Sequence, residues 1–125
     1  MTIDYIPNIN NYGDNIVRLY DFDKHEAQKF SSIIEQLIKD KQTVELSSLD
    51  FITVRNCHLS LRIADEDLGI SSEIMPLFVC DLSLKGYEDM LNRLAPLCKK
   101  NIKGFKWLYE LDNPTDFLAS PAGTW

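Results

Sequence analysis

An amphipathic segment near the N-terminus constrains the fold more than any other part of the chain. From Ala27 to Ile38, apolar residues recur at helical spacing and polar residues occupy the opposite face. Asp23 is followed three positions later by Glu26, which is the spacing of a capping box. We therefore predict a helix from the N-cap Asp23 to about Lys39. Its apolar face requires a second layer of structure to pack against.

The rest of the chain predicts one more helix and several strands. The second helix should follow Ser83, with an apolar stripe from Tyr87 to Cys98. Its last turn should kink or end at Pro96, because proline lacks a backbone donor and restricts the residue before it. Alternating, β-branched or aromatic runs predict strands at 16–20, 43–46, 50–55, 57–64, 77–82 and 105–111. The tail predicts either a helical turn at 113–116 or a short strand at 117–120.

The order of these elements predicts an α+β fold. Strands are grouped rather than alternating with helices, in the order β-α-β-β-β-α-β with one further strand possible. We expect a mainly antiparallel sheet of five to seven strands with two helices packed on one face. Residues 1–125 should form a single domain, in which residues 1–13 are an irregular N-terminal arm rich in asparagine. The sequence shows no internal repeat and no linker.

Charge and cysteine content narrow the classes of function. The 125 residues carry a net charge of -6, which disfavours binding to nucleic acid phosphates. The one basic cluster, Lys99, Lys100 and Lys103, follows a predicted helix, where cations favour the negative end of the helix dipole. Three cysteines, an odd number, do not form a disulfide framework, and no apolar run is long enough to span a membrane. We expect a soluble, cytoplasmic protein that binds neither nucleic acid nor membrane.

Two aspartates form the candidate catalytic pair. Asp21 and Asp23 follow a hydrophobic strand with the spacing D-x-D, which resembles the opening of haloacid-dehalogenase-type phosphatases. The resemblance implies that the first aspartate is a nucleophile and that both help to hold Mg²⁺. His25 stands where that pattern places a small hydroxyl residue, and the strand order is not doubly wound. Asp23 also has a structural role as a helix cap.

Cysteine and histidine side chains offer a thiol site and a metal site. Cys57 and His58 are adjacent in a predicted strand, so their side chains should point to opposite faces. Cys57 shares its face with apolar neighbours, and Cys80 and Cys98 lie in apolar stripes, so we interpret all three as core residues. His25 and His58 are 33 positions apart, without the paired short spacings of a zinc site. We therefore expect no cofactor and no metal.

The acidic run at 65–67 and the late aromatic residues are two further candidates for a functional role. The acidic run at 65–67 lacks the spacing of a calcium loop and predicts a solvated turn. Aromatic residues concentrate late in the chain, and tryptophan and tyrosine dominate protein interfaces. Trp107 and Tyr109 are predicted either as sheet core or as a contact surface. Trp125 is predicted either to dock on the body or to contact a partner.

These observations favour a non-enzymatic protein-interaction domain of the inhibitor or immunity type. Its partner would be a protein with a basic surface, because complementary charge speeds association. Its candidate binding residues are Trp107, Tyr109 and Trp125. A small metal-dependent hydrolase using Asp21 and Asp23 and a homodimeric structural module are the two alternatives.

Overall fold

A computed structural model describes residues 1–123, which contain two α-helices and nine β-strands. The helices are α1 (Lys24–Asp40) and α2 (Leu84–Lys99). The strands are β1 (Thr2–Ile6), β2 (Asn15–Tyr20), β3 (Val44–Glu45), β4 (Thr53–Val54), β5 (His58–Ile63), β6 (Gly69–Ile74), β7 (Leu77–Leu82), β8 (Lys106–Trp107) and β9 (Thr115–Ser120). No helix within residues 1–123 is both long enough and apolar enough to cross a bilayer.

Helix α1 confirms the prediction from its sequence. The Asp23 side chain accepts a hydrogen bond of 2.9 Å from the backbone N–H of Glu26, as expected of an N-cap. At the other end, Lys41 takes a left-handed φ of 55° and its N–H donates to the carbonyl of Leu37. The helix therefore begins and ends where local hydrogen bonds satisfy its terminal backbone groups.

The strands form two mixed sheets. The five-stranded sheet has the order β4-β1-β2-β9-β8, and the four-stranded sheet has the order β3-β5-β7-β6. Parallel pairs join β1 to β4 and β2 to β9 in the first sheet and β5 to β7 in the second, while the other neighbours are antiparallel. The α+β class is confirmed, but the single, mainly antiparallel sheet of five to seven strands is wrong.

The reason is a repeated topology with exchanged strands. Residues 1–64, the first unit, and residues 65–123, the second unit, each contain an antiparallel hairpin, a helix, a short strand (β3 or β8) and a last strand. The first unit has one additional short strand, β4, which pairs with β1. The last strand of each unit leaves its own hairpin and pairs in parallel with the hairpin of the other unit. Thus β5 joins β7, and β9 joins β2. These exchanges create two of the three parallel pairs and divide the strands between two sheets, whereas the parallel pair β1–β4 lies within the first unit.

The two helices repeat the same buried positions. Counting from the N-caps Asp23 and Ser83, the buried residues fall 4, 7, 11 and 14 positions later in both helices. They are Ala27, Phe30, Ile34 and Leu37 in α1, and Tyr87, Met90, Leu94 and Leu97 in α2. The helices pack against each other, and one hydrophobic cluster draws on both units. The two units therefore share one core.

An asparagine marks the same corner in each unit. Asn56 lies two positions before β5, and Asn113 lies two positions before β9. The Asn56 side chain accepts from the N–H of Tyr5 in β1 and donates to its carbonyl, at 2.7 and 3.1 Å. Asn113 donates to the carbonyl of Ile70 in β6 at 3.3 Å. Each asparagine therefore satisfies backbone groups at the edge of its own hairpin as the chain crosses to the other sheet.

Several local predictions differ from the structure, and the predicted strand 50–55 is reduced to the two residues of β4. The predicted arm contains β1, because residues 2–6 pair with β2. The predicted strand 105–111 is confined to β8, since the consecutive residues Leu108 and Tyr109 are both buried and break the alternation. Helix α2 does not end at Pro96 but continues to Lys99, and Leu97 packs into the core beyond the proline.

Candidate functional site

The aspartates of the candidate catalytic pair have separate surroundings. Asp21 lies in the turn between β2 and α1 with a left-handed φ of 55°, and its side chain is exposed. The Asp23 carboxylate accepts the N–H of Glu26, and this hydrogen bond lowers the pKa of Asp23. Capping is thus the role that the structure shows for Asp23. The phosphatase role remains an untested prediction.

The cysteine and histidine side chains do not form a joint site. Cys57 and Cys80 are fully buried, and burial raises the pKa of each thiol to about 12. A thiol that stays protonated at neutral pH is a poor nucleophile, so the interpretation as core residues is confirmed for both. His58 is exposed on the opposite face from Cys57, and His25 is exposed on α1. Within residues 1–123, no group of three or more His, Cys, Asp and Glu side chains could hold a metal ion.

The late aromatic residues mainly serve the architecture. Tyr109 is buried, and its hydroxyl accepts from the N–H of Ile70 at 3.0 Å and donates to the carbonyl of Thr115. Its ring also packs against Phe117 of the core. Trp107 is half-buried in edge-to-face contact with Phe105. Tyr109 therefore bridges β6 and the first residue of β9. The prediction for Trp125 lies outside residues 1–123.

The acidic run at 65–67 contains a specific contact. One carboxylate oxygen of Asp67 accepts both the N–H and the hydroxyl of Ser83, each at 2.8 Å. The Ser83 hydroxyl in turn accepts the N–H of Gly86 in the first turn of α2. All three acidic residues are exposed, and Asp67 orients the N-cap of α2.

A broad groove lies on the outer face of the four-stranded sheet, which is turned away from the core. Strand register places its side chains in three rows across the sheet. The middle row contains Glu45, Ser60, Val79 and Ser71. On one side of it lie Arg62 and Asp81, and on the other lie His58, Leu77 and Ile74. A groove of about 530 Å³ lies over these rows, and Glu73 joins its lining. We call this surface the open face.

A bidentate ion pair lies at the base of the open face. Arg62 donates from Nε and Nη2 to the two carboxylate oxygens of Asp81, at 2.6 and 2.9 Å. Asp81 raises the pKa of Arg62 through this hydrogen bonding. From the core side, the hydroxyl of Tyr87 lies 2.8 Å from the carbonyl oxygens of Arg62 and Cys80. The strands β5 and β7 are thus held together from both sides.

Charge on the open face is predominantly negative. Asp81 already neutralises Arg62, which leaves the exposed carboxylates of Glu45 and Glu73 near opposite edges of the groove. Glu45 accepts a hydrogen bond of 3.0 Å from the hydroxyl of Ser60. With about 4.8 Å between neighbouring strands, β3 and β6 are about 14 Å apart across the sheet. The groove is therefore wide enough for a segment of a macromolecule and favours a cationic one.

The groove ends at an apolar hairpin tip. Met75 and Pro76, joined by a cis peptide bond, form the two-residue turn between β6 and β7. Ile74, Met75 and Leu77 are 69%, 58% and 57% exposed. The sequence analysis did not predict this tip, because it treated residues 77–82 only as a strand and predicted no hairpin before it. The signal that it overlooked is a proline within an apolar run, which marks a turn.

The outer face of the five-stranded sheet is covered instead. Ile16 and Leu118 are fully buried there although they lie outside the hydrophobic cluster of the core. Trp107 pairs with Leu118, and the Ser120 hydroxyl donates to the carbonyl of Gly104 at 3.4 Å. The loop before β8 thus lies against β9. Only the second sheet presents a broad open face within the part of the chain that the structure describes.

Comparisons with protein-family models, with curated proteins and with solved structures find no match. The function of this protein is therefore inferred from the geometry of the open face and the hairpin tip.

Proposed function

We propose that this protein is a non-enzymatic binding domain of the inhibitor or immunity type, which holds a basic partner protein against its open face. The supporting observation is the open, acidic groove of about 530 Å³ over the four-stranded sheet. The equivalent surface of the other sheet is covered by its own chain. Exposed apolar side chains beside a polar groove are typical of protein-binding surfaces.

Charge favours a basic partner over other protein surfaces. The chain has a net charge of -6, and the carboxylates of Glu45 and Glu73 are not neutralised by Arg62. Opposite charge on a partner would speed encounter and select against acidic competitors. Because these carboxylates are exposed, salt should weaken their attraction for the partner. The binding we propose is therefore sensitive to ionic strength.

A second copy of the same chain fits this face less well than a basic protein does. In a symmetric dimer, the same patch of each subunit faces the other. Such a contact through the open face would bring together two surfaces that each carry Glu45 and Glu73. Like charges placed opposite each other oppose association. The homodimer alternative therefore lacks the electrostatic support that a basic partner has.

Charge reversal with a matched control tests the proposal. The variant Glu45→Lys/Glu73→Lys changes the open face, and Glu35→Lys/Glu88→Lys changes two exposed helix positions. Each double variant shifts the net charge from -6 to -2, since every substitution adds two units. The tagged proteins are incubated with an extract of the source cells, and retained proteins are quantified by mass spectrometry at low and high salt.

We expect one basic protein to be retained by the wild type and by the helix variant. The open-face variant should retain at least tenfold less of it, and high salt should release it. Equal retention by all three proteins would contradict the proposal, as would the absence of any specifically retained protein. Light scattering that shows a dimer disrupted only by the open-face variant would instead support the homodimer.

A further inference from the structure

The hairpin tip is an exposed apolar projection on a short turn. Two residues connect β6 to β7, and Ile74 pairs directly with Leu77 across the hairpin. The tip is therefore held close to the sheet, and its position follows from strand pairing. Ile74, Met75 and Leu77 are each more than half exposed, so the chain itself does not cover them. Apolar side chains fixed in this way lose little freedom when a partner buries them.

The equivalent hairpin of the first unit has a different connection. Residues 7–14 join β1 to β2 by a longer polar loop. The Asn10 side chain accepts from the N–H groups of Tyr12 and Asp14, and the N–H of Ile9 donates to the carbonyl of Asp14. These hydrogen bonds are made within the loop, whose one large exposed apolar side chain is Tyr12. The apolar tip is thus specific to the second unit and is not imposed by the shared topology.

The tip is continuous with the acidic groove. His58, Leu77 and Ile74 form the row beside the tip, and Glu73 precedes Ile74 on β6. This surface thus combines apolar side chains with neighbouring carboxylates. Binding hot spots have the same layout when an apolar centre is surrounded by a polar rim.

On the basis of the proposed function, we propose that the β6–β7 tip inserts into an apolar cleft of the partner protein. Lysine or arginine side chains at the rim of that cleft pair with Glu73 and with Glu45 across the groove. The tip supplies the buried apolar anchor, and the carboxylates fix its orientation. Met75 and Leu77 are therefore the residues on which recognition depends most.

The same chemistry argues against a membrane as the occupant. Cytoplasmic leaflets carry anionic lipids, and amphipathic membrane-binding surfaces place basic residues beside their apolar ones. Here the neighbours of the tip are acidic, with Glu73 beside it and the groove beyond. An anionic bilayer would repel this surface, whereas a cleft with a basic rim would attract it.

Site-specific photo-crosslinking tests the tip directly. Benzoylphenylalanine is placed at Met75 on the tip, at Ser71 on the open face, or at Tyr12 on the polar loop of the first unit. All three positions are exposed. Each protein is irradiated in an extract of the source cells, and the cross-linked peptides are sequenced by mass spectrometry.

We expect the Met75 and Ser71 probes to capture the same protein and the Tyr12 probe not to capture it. The peptide bound to Met75 should be apolar and flanked by lysine or arginine. Capture from Ser71 alone would overturn the tip proposal and leave the proposed function standing. Capture from neither Met75 nor Ser71 would overturn both. A Met75 adduct with an acidic peptide would overturn the assigned partner chemistry.

Serine substitutions give a second measurement. Met75→Ser and Leu77→Ser should each reduce capture from the Ser71 probe at least tenfold, while Tyr12→Ser should leave it within twofold. Both tip residues are exposed, so the variants should remain folded, which circular dichroism can verify. Unchanged capture with both tip variants would show that the tip is not the anchor.

Discussion

The two units have the same topology but differ in what they expose. In the first, the hairpin loop is polar and satisfies its own hydrogen bonds, and the sheet that holds the hairpin is covered on its outer face. In the second, the hairpin tip is apolar and its sheet is open. Since both units contribute to one core, the difference cannot be a general requirement of folding. It is consistent with the proposal that the sheet holding the second hairpin, to which β3 and β5 of the first unit also belong, forms the binding surface.

The ion pairs of the two sheets show the same contrast. Arg18 donates to Asp4 from Nε and Nη2 at 3.1 and 2.9 Å, as Arg62 does to Asp81. The Arg18 side chain is only 11% exposed, whereas that of Arg62 is 50% exposed. Both aspartates are buried, but the arginine is enclosed in one sheet and half exposed in the other.

The largest expected effect comes from breaking these two ion pairs. Asp4→Ala removes the buried carboxylate that pairs with Arg18 and lies 3.6 Å from Arg55, and should lower the free energy of unfolding by about 3 kcal/mol. Asp81→Ala should cost about 1 kcal/mol, because water can solvate Arg62. Urea unfolding followed by fluorescence measures both values. Equal losses would show that the two outer faces are equally covered in solution.

The second largest effect is the pH dependence contributed by the buried thiols, one in each unit. Burial raises the pKa of Cys57 and Cys80 to about 12 from an ordinary value of 9.0. The thiols of the unfolded chain ionise at lower pH than those of the folded protein. The contribution of the buried thiols to the free energy of unfolding is therefore complete below pH 9 and is lost as the pH rises towards 12. At pH 10 the loss should be about 1.4 kcal/mol per thiol.

Urea titrations at pH 7 and pH 10 measure this effect. Cys57→Ala and Cys80→Ala should each lose less stability between the two pH values than the wild type does. A similar change for both variants would show that the core is equally closed in the two units. A variant that behaves like the wild type would identify a thiol that water reaches.

The corner asparagines should have smaller and matching effects. Asn56→Ala and Asn113→Ala each remove side-chain hydrogen bonds to a strand of the hairpin in the same unit, so each should cost about 1 kcal/mol. Thermal unfolding of the two variants provides the comparison. A loss confined to one variant would show that the corners are equivalent in position but not in energy.

The smallest effect on stability should come from the tip itself. Leu77→Ser changes a side chain that is already more than half exposed, so the free energy of unfolding should change by less than about 0.5 kcal/mol. Tyr12→Ser on the polar loop, which is 90% exposed, is the matched control. A much larger loss for Leu77→Ser would mean that the tip stabilises the fold and that its apolar character needs no partner.

Local periodicity predicted the elements whose pattern lies within a few neighbouring residues. The stripe of α1 and the alternation of β5, which places Leu59 and Leu61 inside and Arg62 outside, are of this kind. The strand β6 was missed because Gly69, Ser71 and Ser72 have little strand preference. These residues form a strand because they pair with β7, although their own sequence does not predict one.

The division into two sheets could not be predicted in this way. It depends on β5 and β9 crossing between units, and strand exchange leaves no periodic signal in either strand. Some residues of the open face could be predicted from the sequence, because the alternation in β5 places His58, Ser60 and Arg62 away from the core. Recognising it as a site also required Glu45, Glu73 and the tip, which only the sheet brings together.

Oxidation of Met75 in the presence of the captured partner tests the central claim most directly. Met75 is exposed, whereas Met90 is fully buried in the core and acts as an internal control. Dilute peroxide and peptide mass mapping give the two rates with and without the partner. Binding through the tip predicts that the partner slows Met75 oxidation at least tenfold while Met90 stays reduced. An unchanged Met75 rate in a fully bound sample would contradict it.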